Sequence, residues 1–223
     1  RRAVEIDPSN IEALLRLVAA ENARGNLPRA QALCREVLAR DPDSLRAVNS
    51  VGLLYAKQGG LLDARRKALD ENPDAQFRRK KVNEFIAAGL KDFVRSGPAD
   101  LAAARDEKWQ EAEGWFHRAR QLRPGSPEVH TNLGSLARRR GDLSTATRCY
   151  ARAMALDPMF AQARRGLANV LRDQQRYAEA VEQYELALEL DPTDKDAYGA
   201  LADTYDEMER PAYAERMRIR YEI

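Results

Sequence analysis

The chain has 223 residues, of which 44% are apolar and 32% charged, with a mean hydropathy of −0.63. That balance excludes disorder, which goes with far fewer apolar residues, and no run of about 18 apolar residues is present to span a membrane as a helix. Basic and acidic residues nearly cancel, 37 against 35, which argues against a strongly cationic nucleic-acid binder, and two Cys and two His leave little from which to build a disulfide framework, a metal site or a catalytic triad.

The chain begins at Arg1 and not Met, which reads as a fragment or a processed product. No signal-peptide pattern opens it, so a soluble protein is expected, with a cytoplasmic location favoured. From the N-terminus onward a phrase ending in proline recurs. It is Ile-Asp-Pro at 6–8, Arg-Asp-Pro at 40–42, Leu-Arg-Pro at 122–124, and Leu-Asp-Pro at 156–158 and 190–192. Pro8 and Pro42 stand 34 residues apart, as do Pro124, Pro158 and Pro192 in turn. The same spacing relates Ala112, Ala146, Ala180 and Ala214, then Phe116, Tyr150 and Tyr184, then Ala119, Ala153 and Ala187. A fixed period of this size predicts stacked supersecondary units instead of one globular core.

Between Pro42 and Pro124 the period breaks. Pro73 divides this stretch into 31 and 51 residues, three too few and 17 too many. Ile86, Leu90, Phe93 and Val94 lie at helical spacing, Ser96-Gly97-Pro98 interrupts them, and Leu101, Ala104 and Trp109 carry an apolar stripe onward. This predicts a lengthened helical hairpin near residues 75–122 with its tip near Gly97, projecting by about 10 Å at about 1.5 Å per residue. A small extra helix packed sideways, or a disordered loop, is the alternative.

Leu133-Gly134, Leu167-Ala168 and Leu201-Ala202, with Val51-Gly52 and Tyr55, followed in each period by the Ala, aromatic and Pro positions above, resemble the tetratricopeptide repeat along nearly the whole chain. The resemblance implies an all-α fold, a right-handed superhelical solenoid of antiparallel helix pairs. It divides residues 1–223 into a partial unit at 1–8, units at 9–42, 43–73, 74–124 (the expanded one), 125–158 and 159–192, and a terminal capping unit at 193–223. Turns between the two helices of a unit are expected at Arg24-Gly25-Asn26, Gly59-Gly60 and Gly141-Asp142.

Catalytic chemistry is hard to assemble from what is present. His117 and His130 are not at ligand spacing with Cys or carboxylates, Cys34 and Cys149 have no base nearby in the sequence, and no P-loop, G-x-G-x-x-G or G-x-S-x-G occurs. The chain is read as no enzyme, with no cofactor and no metal. Arg78-Arg79-Lys80-Lys81 and Arg138-Arg139-Arg140 fall in different units, so RNA binding is a third choice. The acidic Asp203, Asp206, Glu207 and Glu209 make the chain electrically polar, which suits steering of a charged protein partner.

The resemblance implies a concave groove lined by the first helices, taking a peptide or helix of a partner protein. On this sequence the lining is Arg46, Asn49 and Leu53, then Lys80 and Glu84, then Glu128, Thr131, Ser135 and Arg138, then Gln162, Arg165, Asn169 and Arg172, and finally Asp196 and Asp203. Some family members clamp a partner's C-terminal carboxylate; Arg165 and Asn169 match one such pair, but Ala200 stands where the next Asn belongs. The function expected is therefore a non-catalytic interaction scaffold. The alternative is a targeting or regulatory repeat region of a larger enzyme or of a secretion or assembly machine. Self-association through the end units is also expected to be open to it.

Overall fold

The computed structural model describes residues 10–71, 79–93 and 96–222, without the side chains of 79–82, 221 and 222. The partial unit expected at 1–8, and the Pro73 boundary, lie outside the described residues. Among the described residues there are eleven α-helices, one 3-10 turn and no strand, so the all-α fold is observed. The chain divides into two compact units, Arg1–Pro124 and Gly125–Ile223.

The second unit holds three helix pairs: α6 (Pro127–Arg139) with α7 (Leu143–Leu156), α8 (Ala161–Asp173) with α9 (Tyr177–Leu190), and α10 (Lys195–Glu207) with α11 (Pro211–Glu222). Consecutive pairs also pack on one another, α7 against α8 and α9 against α10. The small residues of the repeat are where backbones approach. A Cβ added at Gly134 would sit 3.0 Å from the Tyr150 ring, and one added at Gly166 would sit 2.1 Å from it, so one tyrosine packs against glycines of two successive first helices. Tyr150 and Tyr184 are fully buried, as are Ala146, Ala153, Ala180 and Ala187. Ser126, Asp142 and Asp194 cap α6, α7 and α10 by accepting a backbone N–H with their side chains.

The turn between paired helices needs one residue in the left-handed region, where glycine is least strained. That position is Gly141 (φ 82°), Gln175 (φ 61°) and Glu209 (φ 56°), each one period from the last. In the first unit Gly25 (φ 77°) does the same between α1 (Ile11–Ala23) and α2 (Leu27–Arg40).

The next member of that series in the first unit is Gly59, one period after Gly25, and there the structure departs from the sequence reading. Residues 45–71 form one uninterrupted helix, α3 (Leu45–Glu71), which runs straight through Gly59-Gly60. The expected turn at Gly59-Gly60 is not made, and Leu45–Glu71 is one helix where a helix pair was expected. The partner of α3 is α5 (Pro98–Leu122), and these two helices share the most extensive helix–helix contact among the described residues. They have 27 and 25 residues, against 12 to 14 for the helices of the second unit. The long hairpin therefore exists, but its first arm is α3 and not residues 74–96. Of the readings for that stretch, the small extra helix is the one found: α4 (Arg79–Ala87), followed by a 3-10 turn at Lys91–Phe93. Gly97 stands at the N-terminal cap of α5 instead of at a hairpin tip.

Gly59 is a point of close approach. A Cβ there would lie 2.3 Å from Cδ1 and Nε1 of Trp109, and one at Gly52 would lie 2.5 Å from the Phe116 ring. Beyond Gly59 the hairpin is held by apolar and ionic contacts together. Leu62, Leu101 and Ala104 are buried in the core of the unit. Asp63 accepts from Arg105 at 2.9 Å and pairs with Arg66 and Lys67, while the Arg105 guanidinium lies 5.1 Å from the Trp109 ring centre. Burial pushes the Asp63 carboxyl up, but the bonds from Arg105 and Lys67 outweigh it and hold the group below its ordinary range.

Phe116 on Gly52 repeats the contact of Tyr150 with Gly134. The first half of α3 and the second half of α5 are thus the two helices of one repeat, split in the chain. The stretch from Pro42 to Pro124 exceeds a regular repeat by more than one full period.

Candidate functional site

In the second unit the first helices α6, α8 and α10 are neighbours, and they turn the same register toward solvent. Glu128, Gln162 and Asp196 occupy one position of the repeat, a period apart, and are all exposed. Two turns further on come Ser135, Asn169 and Asp203, and nearly one turn beyond them Arg138, Arg172 and Asp206. The arginines of this face are held from one repeat to the next. Arg138 donates to Asp173 at 2.8 Å. Arg165 pairs with Asp194 at 3.0 Å and Asp196 at 2.9 Å. Arg172 donates to the Ala200 carbonyl at 3.4 Å and lies 3.6 Å from Asp203. In the first unit Arg46 reaches Glu12 at 2.5 Å, again one repeat away. These ions bridge neighbouring first helices, with the exposed pairs contributing little individually.

Ser135 and Asn169 have a defined task. The Ser135 hydroxyl and the Tyr150 hydroxyl are 3.1 Å apart, and the Tyr184 hydroxyl donates to Asn169 Oδ1 at 2.7 Å. Burial pushes the Tyr184 phenol up to about 12, so it remains a donor at neutral pH. In the split repeat the ring is Phe116, which carries no hydroxyl, and the residue in the register of Ser135 and Asn169 is Leu53, 40% exposed. Polar floor residues therefore occur where the buried ring needs a partner, and an apolar one where it does not.

Two expected groove residues are not on the surface. Asn49 and Thr131 are buried, at 4% and 8% exposure, while Arg165 in the same register is long enough to reach Asp194 and Asp196. The Lys80 side chain lies outside the described residues, and Glu84 lines a cavity in the first unit. The residues that sequence reasoning missed are the acids Glu12, Asp173 and Asp194 and the tyrosine hydroxyls. The equal spacing of Ser135 to Tyr150 and of Asn169 to Tyr184 was the available signal.

Cys34 is fully buried, and burial pushes its thiol up to about 12, which removes the thiolate a nucleophile requires. His117 is 3.8 Å from Glu113. Among the described residues no three His, Cys, Asp or Glu side chains gather as a metal site would need, and no helix is long and apolar enough to cross a membrane.

The chain belongs to the tetratricopeptide-repeat family: models of that repeat match residues 1–52, 131–195 and 184–216, together more than half of it. Proteins of this family generally serve as protein-interaction scaffolds. The chain is similar to two solved structures of MamA. One is 16% identical with a TM-score of 0.48, over 95% of this chain and 89% of that one; the other is 17% identical with a TM-score of 0.49, over 92% and 91%. It is also similar to YrrB, described as a TPR protein with an unusual peptide-binding site, at 17% identity and a TM-score of 0.45 over 99% of this chain and 89% of that one. No curated protein matches it in sequence.

Proposed function

We propose that this chain is a non-catalytic scaffold that holds an extended or helical segment of a protein partner along the open faces of its first helices. The observation that supports this most directly is the repeated register on α6, α8 and α10. Polar side chains line one face at the period of the repeat, while Gly134, Gly166, Ala168 and Ala202 on the other sides are consumed by packing. Such a face offers donors and acceptors to a peptide backbone without demanding one sequence. The inter-repeat ion pairs refine the chemistry. Arg138, Arg165 and Arg172 already carry carboxylates, so a partner engages them by sharing or exchanging those acids. The same pairing neutralises three cations that an RNA phosphate backbone would otherwise meet.

Site-specific photocrosslinking tests the proposal. A benzophenone side chain at Gln162, on the open face of α8, is expected to give a discrete adduct with a partner in cell extract, and the same group at Arg152, exposed on the second helix α7, is expected to give none. Equal adducts at both positions, or none at Gln162, would overturn it.

A further inference from the structure

The additional chain of the split repeat does more than lengthen two helices. Helix α4 folds back onto the first unit and is anchored there by Phe85, Ala88 and Leu90, all buried in its core. Gln58, itself buried, donates to the Ala88 carbonyl at 2.7 Å and accepts from Gln31. Gly89, at φ 74°, lies where a Cβ would meet the Pro28 ring at 2.9 Å. Between α4 and the rest of the unit this leaves a cavity of about 480 Å³, within the usual range for ligand pockets. Ala23, Leu27, Leu61, Ala87 and Ala88 give it an apolar lining.

At its edge stands Lys57. The ammonium donates to the backbone carbonyl of Asn22 at 3.0 Å and to Asn22 Oδ1 at 3.1 Å, both neutral acceptors. Among the described residues no carboxylate pairs with it, and one of its three donors is left over. The other cation of the lining, Arg24, is already bonded to the buried Glu21. One turn before Lys57 on α3 comes Leu53, the exposed apolar residue of the open face.

We propose that this cavity is an anchor site for a partner polypeptide, taking one bulky apolar side chain into the space beneath α4 while a nearby Asp or Glu of the same segment pairs with Lys57. The site rests on the scaffold reading and adds to it a position and a side-chain chemistry. It is created by the insertion, since α4 supplies one wall, and Lys57 and Leu61 of α3 line it opposite.

A library of random twelve-residue peptides displayed on phage and selected on the immobilised full chain provides the probe. Enriched peptides are expected to carry an aromatic or large aliphatic residue within about three positions of an acid. A synthetic copy is expected to lose affinity by at least about tenfold when Ala87→Trp fills the cavity, and again with Lys57→Glu. Ala23→Trp, at an exposed position, is the second filling variant, and circular dichroism confirms that each variant keeps its helix content. Replacing Arg152, exposed on α7, with Ala is expected to leave this peptide's affinity unchanged. Selection of no such motif, binding indifferent to both filling variants, or binding lost with Arg152→Ala overturns the anchor site while leaving the crosslink at Gln162 to decide the groove. A dimer that Ala87→Trp dissolves would assign the cavity to a second copy of the chain and overturn the proposal as well.

Discussion

The split repeat of the first unit and the regular repeats of the second use one packing device in two lengths. In both, an aromatic ring of the second helix lies on a glycine of the first, Phe116 on Gly52 and Tyr150 on Gly134. In the second unit the first helix then stops at a left-handed turn residue and the chain returns at once. In the first unit the residue at the same place, Gly59, stays helical, because Trp109 covers it and Leu62, Leu101 and Ala104 continue the apolar seam beyond it. In these two repeats the ring-on-glycine contact is kept while the loop differs, and the loop can carry more than a full period of extra chain without disturbing it.

The comparison breaks most visibly at the glycines. Gly59→Ala should cost about 1–3 kcal/mol, as overpacking a rigid ring against helix backbone does, and Gly166→Ala against Tyr150 should cost a similar amount. Gly114 lies in α5 with open space around its Cβ position, so Gly114→Ala should instead gain about 0.5–1 kcal/mol from helix propensity. Urea unfolding of the three variants measures all three effects. A destabilised Gly114→Ala, or a neutral Gly59→Ala, would show that the glycines serve as turn signals and not as contact points.

The polar floor sharpens the comparison at smaller scale. Phe116→Tyr puts a hydroxyl opposite Leu53 where the second unit supplies Ser135 or Asn169, and it should destabilise by about 1 kcal/mol. Adding Leu53→Asn should recover most of that loss, giving a coupling of about 1 kcal/mol in a double-mutant cycle. Strict additivity of the two changes would mean that the ring and floor positions are independent.

Much of this was legible in the sequence, and the failure has a definite cause. The aromatic and alanine registers gave the repeats of the second unit because packing restricts those positions to few residue types. Gly25 and Gly141 were read correctly as turns, but Gln175 and Glu209 occupy the same left-handed position with no glycine to announce it. Gly59-Gly60 carries the same signal as Gly141-Asp142, and nothing local distinguishes a glycine freed for a turn from one cleared for Trp109, far along the chain. Pro73 compounded the error by falling near one period after Pro42. On the first helices, helical spacing marked Arg165, Asn169 and Arg172, whereas their acids and the tyrosine hydroxyls come from neighbouring helices that periodicity does not join.

Acid separates the two kinds of repeat through their turns. Asp142 accepts from the Thr145 backbone N–H at 2.9 Å and from the Ser144 hydroxyl at 2.9 Å, and these bonds hold its carboxyl at about 2, well below the ordinary 3.8. Because the folded value is depressed, the contribution of this cap is complete above the unfolded value and is lost as pH falls from about 4 toward 2. The position of Asp142 in the split repeat is Gly60, inside a helix, where there is no cap to titrate. Protection of the first-turn amides of α7, measured against their intrinsic exchange rates, should therefore fall between pH 4 and 2, and Asp142→Asn should remove most of that fall while keeping the capping bond. Amides of α3 around Gly59 should not follow the same curve, although deeper acid also threatens Asp63 and its bonds to Arg105 and Lys67. Carboxyl NMR distinguishes the two: an Asp142 resonance titrating near 4 instead of near 2 would mean that the cap does not form in solution.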